Sequence, residues 1–322
     1  MFYSKIYPAS WSLIKNNLFL LIFGLFASVL GFHEVKIFFA LSDTSPDFLS
    51  STLTFWLQLF DTLAVADLTW SILPSLLGLV LIFILLVAVI ILSISGQGAL
   101  IKSAAEKNGR LKNRFSEYLH QGVTKFWPLF GLHLVNIILG YFFVSTVINP
   151  MIQFVAMDNS RLEYLLISLL VFFFIFPLII IISFVTRYGM AYVMIKNQGF
   201  LEAFTNSWYL FRINWLITLE NSIFIGLVTI LYLMAMATAM IFIFTPFFFL
   251  STFLGALGFA LYVLIMMIGS LLALFILVAA SALYGAYYNI VWAKVFNELV
   301  APGKSHSQIY RLTQKHFPRA AR

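Results

Sequence analysis

Four side chains that could bind a polar ligand or move a proton fall inside long apolar stretches of the sequence: Gln97, His133, Arg187 and Glu220. A charged group inside a bilayer costs about 2.5–3.5 kcal/mol on insertion scales, so such residues are candidates for function. We predict that the four form a polar cluster near one leaflet, where they would bind a headgroup or relay a proton. The structural alternative, which we favour, is an Arg187–Glu220 ion pair and a hydrogen-bonded His133 that fix helix packing.

Motifs for enzymatic chemistry are missing from the chain. It has no Walker A loop, no His-Glu-x-x-His, no Gly-x-Ser-x-Gly and no paired carboxylates in an apolar stretch. Without cysteine, disulfides, thiolate metal ligands and cysteine nucleophiles are excluded. We therefore predict a protein that is not an enzyme, with no catalytic residue, no metal site and no cofactor.

The composition indicates an integral membrane protein. Of its residues 62% are hydrophobic and 10% are charged, whereas a soluble protein has about 25% charged residues. The apolar runs are continuous and exceed the ~20 residues that span a bilayer, which favours helices over a barrel. We predict an all-α fold with six transmembrane helices, at about 16–38, 72–101, 126–148, 163–193, 214–244 and 262–293.

The distribution of charge gives an orientation. All of the 19 basic residues except Lys36 and Arg161 fall on one predicted face, and most acidic residues fall on the other. The positive-inside rule places both termini in the cytoplasm of a prokaryotic inner membrane. That requires two spans after Arg212, so residues 245–258 would lie at the outer interface; seven spans are the alternative. The same rule accounts for the net charge of +7, so nucleic acid is not a predicted partner.

A unit of about ninety residues recurs three times, as in repeat architectures. Each copy opens with an amphipathic stretch that ends in a basic residue and continues into an apolar hairpin. The clearest match sets Ser10–Asn17 against Ser207–Asn214, and a weaker middle copy runs from Phe115 to Trp127. The hairpins end alike, at Gly98-Ala99, Gly189-Met190 and Gly285-Ala286. We predict one membrane domain over 1–298, with units of about 1–109, 110–198 and 199–298, and a basic tail over 299–322.

Interfacial helices are predicted at 110–125, where basic residues are interleaved with apolar ones, and at 200–213, where apolar residues recur at a spacing of three and four. Such helices lie in the interface with their basic side toward anionic headgroups. A further surface helix is predicted within the external connection 33–71. The expected partners are membrane lipids with anionic headgroups, and a protein partner or a second copy of the chain. The tryptophans that fit an aromatic belt are Trp11, Trp127, Trp208 and Trp215.

Two stretches resemble a prokaryotic family of six-span proteins. They are Gly96–Ile101 with the following basic segment, and Gly199–Phe204 with Ser207–Leu210. The family is the membrane domain found beside glycerophosphodiester phosphodiesterases, and the resemblance covers about residues 1–300. It implies a membrane domain without its own catalysis, because phosphodiesterase activity there belongs to a separate soluble barrel. Such a barrel takes about 250 residues, and no soluble stretch here approaches that length.

These observations lead to two expectations of function. The first is a membrane scaffold or accessory protein that engages lipid or a partner at the cytoplasmic leaflet. The second is a small-molecule or lipid transporter that uses the polar cluster near Glu220 and His133. A dry, closely packed bundle favours the first, and a water-filled cavity that reaches Glu220 favours the second.

Overall fold

The computed structural model describes residues 2–31, 72–106, 115–148, 162–255 and 258–301, which are helical apart from short turns. The external connection 33–71, and the basic tail from residue 302 onward, lie outside the described residues. The helices are α1 (Phe2–Asn16), α2 (Leu20–Gly31), α3 (Ile72–Ala104), α4 (Phe115–Thr124), α5 (Phe126–Phe143, with a π-helical turn over Val144–Ile148), α6 (Leu162–Lys196), α7 (Phe200–Gly255) and α8 (Phe259–Val300).

Within the described ranges, five helices are long and apolar enough to cross a membrane: α3, α5, α6, α7 and α8. Counting α1 and α2 together as one broken span gives a sixth. Helices suit this role because they satisfy every backbone polar group internally where no water is available. The prediction of an all-helical, multi-pass membrane protein is confirmed at this level.

Two amphipathic helices turn sharply into the apolar helices that follow them. α1 meets α2 at 112° through a turn after Asn16, and α7 leaves helical geometry at Asn214 (φ −116°, ψ 28°). In both places an asparagine amide donates to a carbonyl one turn earlier: Asn17 to Leu13 O at 2.8 Å, and Asn214 to Leu210 O at 3.1 Å. Such a side chain competes with backbone donors, which favours a bend.

The structure does not end a helix at residue 244, where the fifth span was expected to end. α7 continues as a helix through Pro246 to Gly255, and α8 begins at Phe259. The apolar run is therefore helical up to Gly255, and the placement of residues 245–258 at the outer interface stays a prediction. Nothing in the local sequence except Pro246 opposes the helix, and membrane helices tolerate proline because neighbouring groups satisfy the freed carbonyl. α6 likewise continues through Pro177.

The buried core lies at one end of the bundle. Buried side chains fill the last third of α3 from Ser93 to Ala104, of α6 from Phe184 to Met194, and of α8 from Ala282 to Phe296. These are the ends that carry Lys102, Lys196 and Lys294, and we call this region the basic end. Toward the other end of the helices, large apolar side chains are exposed, as expected of surfaces that face lipid.

Small residues bring α2 and α8 into close contact at the basic end. A Cβ added at Gly24 would collide with the carbonyl oxygen of Ala282 and would lie 2.8 Å from the Cβ of Ala286. A Cβ at Gly285 would meet the carbonyl oxygen of Gly24 at 2.5 Å. Because small residues let helix backbones approach, this contact joins α2 to the last helix of the bundle.

Candidate functional site

Glu220 is buried in α7, and the structure gives it a partner from the other end of the sequence. The Tyr3 hydroxyl of α1 lies 3.0 Å from Glu220 Oε2 and 3.1 Å from the carbonyl oxygen of Ile217. The hydroxyl has one proton, which these two acceptor oxygens share. A buried carboxylate is tolerated only with such partners, so Tyr3 helps to keep Glu220 inside the bundle.

A second tyrosine on the same face of α1 repeats this contact. The Tyr7 hydroxyl donates to Asn221 Oδ1 at 3.1 Å. The rings of Tyr3 and Tyr7 pack on Phe224, with centroids 5.3 and 6.3 Å from its ring. Two tyrosine hydroxyls and an aromatic cluster therefore fix α1 against α7.

A further buried pair connects α6 to the bend of α7. The hydroxyls of Tyr188 and Thr218 are 2.8 Å apart, and Thr218 donates to the carbonyl oxygen of Asn214 at 2.9 Å. Since Thr218 has one hydroxyl proton, which it uses toward Asn214, Tyr188 is the donor to Thr218. We call Tyr3, Tyr7, Tyr188, Thr218, Glu220 and Asn221 the polar layer.

Arg187 is half-buried in α6, and its guanidinium stacks on two rings of α8. Its Cζ lies 4.4 Å from the centroid of Tyr288 and 5.3 Å from that of Trp292. Cation–π contacts of this kind contribute about 0.5–2 kcal/mol. Trp292 is itself buried, and its Nε1 has no hydrogen-bond partner in the part of the chain that the structure describes.

The remaining two predicted side chains, Gln97 and His133, lie in α3 and α5. Gln97 is buried in α3 and donates from Nε2 to the carbonyl oxygen of Ala27 in α2 at 3.2 Å. His133 is buried in α5. One turn further on, Asn136 Nδ2 donates to Thr186 Oγ1 at 2.7 Å, which joins α5 to α6 beside Arg187.

The contacts that fix three of the four predicted side chains lead to different helices. Glu220 is fixed by α1, Arg187 by α8 and Gln97 by α2. A single cluster of all four, and the Arg187–Glu220 ion pair, therefore stay predictions. Each of the four is buried or half-buried at the basic end, which is where a cluster was expected.

Sequence reasoning missed the aromatic partners of these groups. Tyr3 and Tyr7 are four residues apart and so share one face of α1. That spacing is the sequence signal by which these partners could have been identified. Nothing local linked them to Glu220, 217 residues away. The described residues contain no group of His, Asp and Glu side chains placed to hold a metal ion.

Fold and site together define a multi-pass helical membrane protein whose basic end encloses a hydrogen-bonded polar layer. The chain belongs to the family described as "Family of unknown function (DUF7544)", whose profile matches residues 14–312. No curated protein and no solved structure matches the chain. The resemblance to the membrane domain beside phosphodiesterases is not tested by these comparisons and stays a prediction.

Proposed function

We propose that the protein is a non-enzymatic membrane scaffold that engages anionic lipid, or a partner, at the cytoplasmic leaflet of a prokaryotic inner membrane. The observation that carries this proposal is the polar layer. Its buried hydroxyl, carboxylate and amide groups bond to one another between α1, α6 and α7. Polar groups used in this way stabilise a packed bundle, and they favour a scaffold over a route for solutes.

A ring of three related units is part of the proposal. Ser10 and Ser207 are both fully buried, and each donates to a carbonyl of its own helix one turn earlier. The paired bends at Asn17 and Asn214 occupy the positions that the sequence alignment sets opposite each other. These features support a common origin for the first and third units.

The order of packing also supports a ring. A Cβ on Gly98 of α3 would lie 3.4 Å from Gly122 of α4, and one on Gly189 of α6 would lie 3.5 Å from Ser207 of α7. The second long helix of each unit thus packs on the amphipathic helix of the next. α8 of the third unit packs on α1 and α2 of the first, as a closed ring requires.

Exposed aromatic and basic side chains on the amphipathic helices, or directly after them, form the surface that would meet lipid. Trp11, Trp127, Trp208 and Trp215 are all exposed, Trp127 by 75%. Lys15 and Arg212 are exposed at the ends of the amphipathic segments, beside the bends. Amphipathic aromatic rings and basic residues favour the headgroup region, particularly of anionic leaflets. We call these six residues the girdle.

The test is enrichment of anionic lipid around the protein in vesicles. The full chain is reconstituted into phosphatidylcholine vesicles that contain a minor fraction of phosphatidylglycerol. Energy transfer from the tryptophans to pyrene-labelled phosphatidylglycerol is compared with transfer to pyrene-labelled phosphatidylcholine. We expect preferential transfer to phosphatidylglycerol that weakens with added salt, because the attraction is screened.

A matched pair of variants tests the face involved. The double variant Lys15→Gln with Arg212→Gln should reduce the preference for phosphatidylglycerol. The double variant Lys36→Gln with Arg161→Gln removes equal charge from the opposite predicted face and should leave that preference unchanged. An equal preference in both double variants would contradict the proposal. The transporter alternative has a separate signature: proton or solute flux through these vesicles that Glu220→Gln abolishes.

A further inference from the structure

We propose that acyl chains of membrane lipids enter the bundle at the end opposite the basic end and surround residues 78–87 of α3. The proposal rests on the lipid-engaging function above and deepens it, because it adds a contact with acyl chains to the contact of the girdle with headgroups. We call the end opposite the basic end the far end. α3 is the central helix at the basic end, yet no described helix covers it at the far end.

At the basic end, α3 packs on five other helices: α2, α4, α5, α6 and α8. Several of these contacts lie in its last third. Gln97 donates to a carbonyl of α2, and a Cβ added at Gly98 would meet side chains of α5 and α6. Every residue from Ser93 to Ile101 is buried, so the neighbouring helices enclose α3 on all sides there.

At the far end, the same helix is exposed on every side. All eight residues from Val80 to Val87 are exposed, by 37–64%. A helix turns once in 3.6 residues, so a neighbour on one side would cover every third or fourth residue. A Cβ built at Gly78 also has no atom within 4 Å. No helix among the described residues therefore packs closely on these turns of α3, and space remains around them.

The other long helices form two separate pairs at the far end. The ring of Phe143 in α5 lies 6.1 Å from that of Phe172 in α6, in an apolar cluster that contains side chains of α5, its π-helical turn and α6 alone. α7 and α8 pack on each other, where a Cβ added at Gly269 would lie 2.7 Å from the ring of Phe247. α3 contacts members of both pairs at the basic end and is exposed at the far end, so the pairs diverge from it along their length.

The side chains of this exposed stretch favour hydrocarbon over another helix. Residues 80–87 are all valine, leucine, isoleucine or phenylalanine, with no polar group for water to solvate. Helix contacts inside membranes are enriched in small residues that let backbones approach, and residues 80–87 include none. An empty gap would lose dispersion contacts around the helix. Acyl chains are as apolar as leucine and can conform to bulky side chains, so they are the expected occupant.

The experiment is a nitroxide scan of the full chain, reconstituted into phosphatidylcholine vesicles that contain a minor fraction of phosphatidylglycerol. Single cysteines replace residues 80–87 one at a time in this cysteine-free chain, and each is spin-labelled. Power saturation measures accessibility to oxygen, which concentrates in hydrocarbon, and to a water-soluble nickel chelate. We expect high oxygen and low nickel accessibility at all eight positions, without the 3.6-residue period of a helix that packs on one side.

The matched control is a scan of residues 170–176 in α6, where one face of the helix packs on α5. Phe172 and Ile175 are half-buried there, whereas Phe173 and Phe174 are 71% and 74% exposed. Oxygen accessibility should therefore oscillate along the α6 scan in the same vesicles. The contrast between the two scans shows that a flat profile in α3 reflects lipid on every side.

Oscillation in the α3 scan, or uniformly low oxygen accessibility, would show that protein covers this stretch, whether residues 33–71 or a second copy of the chain, and would overturn the proposal. High accessibility to the nickel chelate would show a water-filled gap and would also overturn it. The α3 profile should be the same in vesicles without phosphatidylglycerol, because the contact with acyl chains involves no charge. Loss of the phosphatidylglycerol preference therefore concerns the girdle, whereas a periodic α3 profile concerns the contact with acyl chains.

Discussion

Replacing Gly24 by alanine is predicted to destabilise the bundle far more than one methyl group would suggest. The new Cβ would collide with the carbonyl oxygen of Ala282 and lie 2.8 Å from both Cβ and N of Ala286. These are atoms of a helix that cannot rotate away, so α2 and α8 must separate. Overpacking typically costs about 1–3 kcal/mol, and rigid neighbours place this substitution near 3 kcal/mol.

Gly226→Ala is the matched control, since it makes the same substitution in another apolar helix. No atom lies within 4 Å of a Cβ built at Gly226. The change should be neutral or should stabilise the protein by up to about 1 kcal/mol through helix propensity. The two variants should therefore differ by about 3–4 kcal/mol, although they carry the same mutation.

The assay is thermal unfolding in mild detergent, followed by tryptophan fluorescence, with the folded fraction checked by size exclusion. At about 2–4 °C per kcal/mol for a domain of 150–250 residues, Gly24→Ala should unfold at least several degrees below the wild type. Gly226→Ala should unfold at or slightly above the wild-type temperature. Equal melting temperatures for both variants would refute the argument that the α2–α8 contact depends on a missing Cβ.

Three further predictions follow from the polar layer and from the topology. Glu220→Gln should keep the detergent-stable yield and cost about 1 kcal/mol or less, because the amide oxygen still accepts from Tyr3; a collapse rescued by Arg187→Gln would instead show an ion pair. Thr218→Val should cost about 1–3 kcal/mol in thermal unfolding, more than Tyr188→Phe, because it leaves the buried Tyr188 hydroxyl without its acceptor, whereas in Tyr188→Phe Thr218 still donates to Asn214; an equal loss in both would contradict this order. Single cysteines placed at Ser45, Asn159 and Ser305 of this cysteine-free chain should respond differently to a membrane-impermeant maleimide. Those at 45 and 159 should react from outside the cell, and the one at 305 should be protected. External labelling at position 305 would exclude the six-span arrangement.

Much of the helical framework could be predicted from hydropathy alone. The limits expected for the second to fourth spans, 72–101, 126–148 and 163–193, agree within a few residues with α3, α5 with its π-helical turn, and α6. Length and lack of charge suffice there, because a bilayer permits few other structures. The bend at Asn214 also falls at the expected boundary between an amphipathic and an apolar helix.

The end of the fifth span could not be predicted, because its sequence lacks the usual signals. No charge interrupts the run after Glu220 until Lys294, so the only local marker was Thr245-Pro246. Proline is a weak terminator where neighbouring helices satisfy the freed carbonyl. The positive-inside rule requires an even number of spans after Arg212, but it does not set the length of each span.

The candidate residues could be predicted from their types, but the side chains that they contact could not. Glu220 and Arg187 stand out because a charge in an apolar helix is rare. Their contacts are aromatic, and a tyrosine or tryptophan in a membrane protein carries no local signal that distinguishes a lipid-facing ring from a partner of a buried charge. Tyr3 meets Glu220 only once α1 has folded back on α7, which no periodicity in either segment encodes.

The length of the α7–α8 hairpin has a consequence for the surrounding bilayer. From the bend at Asn214 to Gly255, α7 would measure about 60 Å at 1.5 Å per residue, whereas a hydrocarbon core is about 30 Å thick. α8 matches it, from Phe259 to Val300. An apolar hairpin of this length produces hydrophobic mismatch, which is relieved by steep tilt or by thickening of the adjacent bilayer. The protein is therefore expected to gather lipids with longer acyl chains around α7 and α8, and to concentrate where the membrane is already thick.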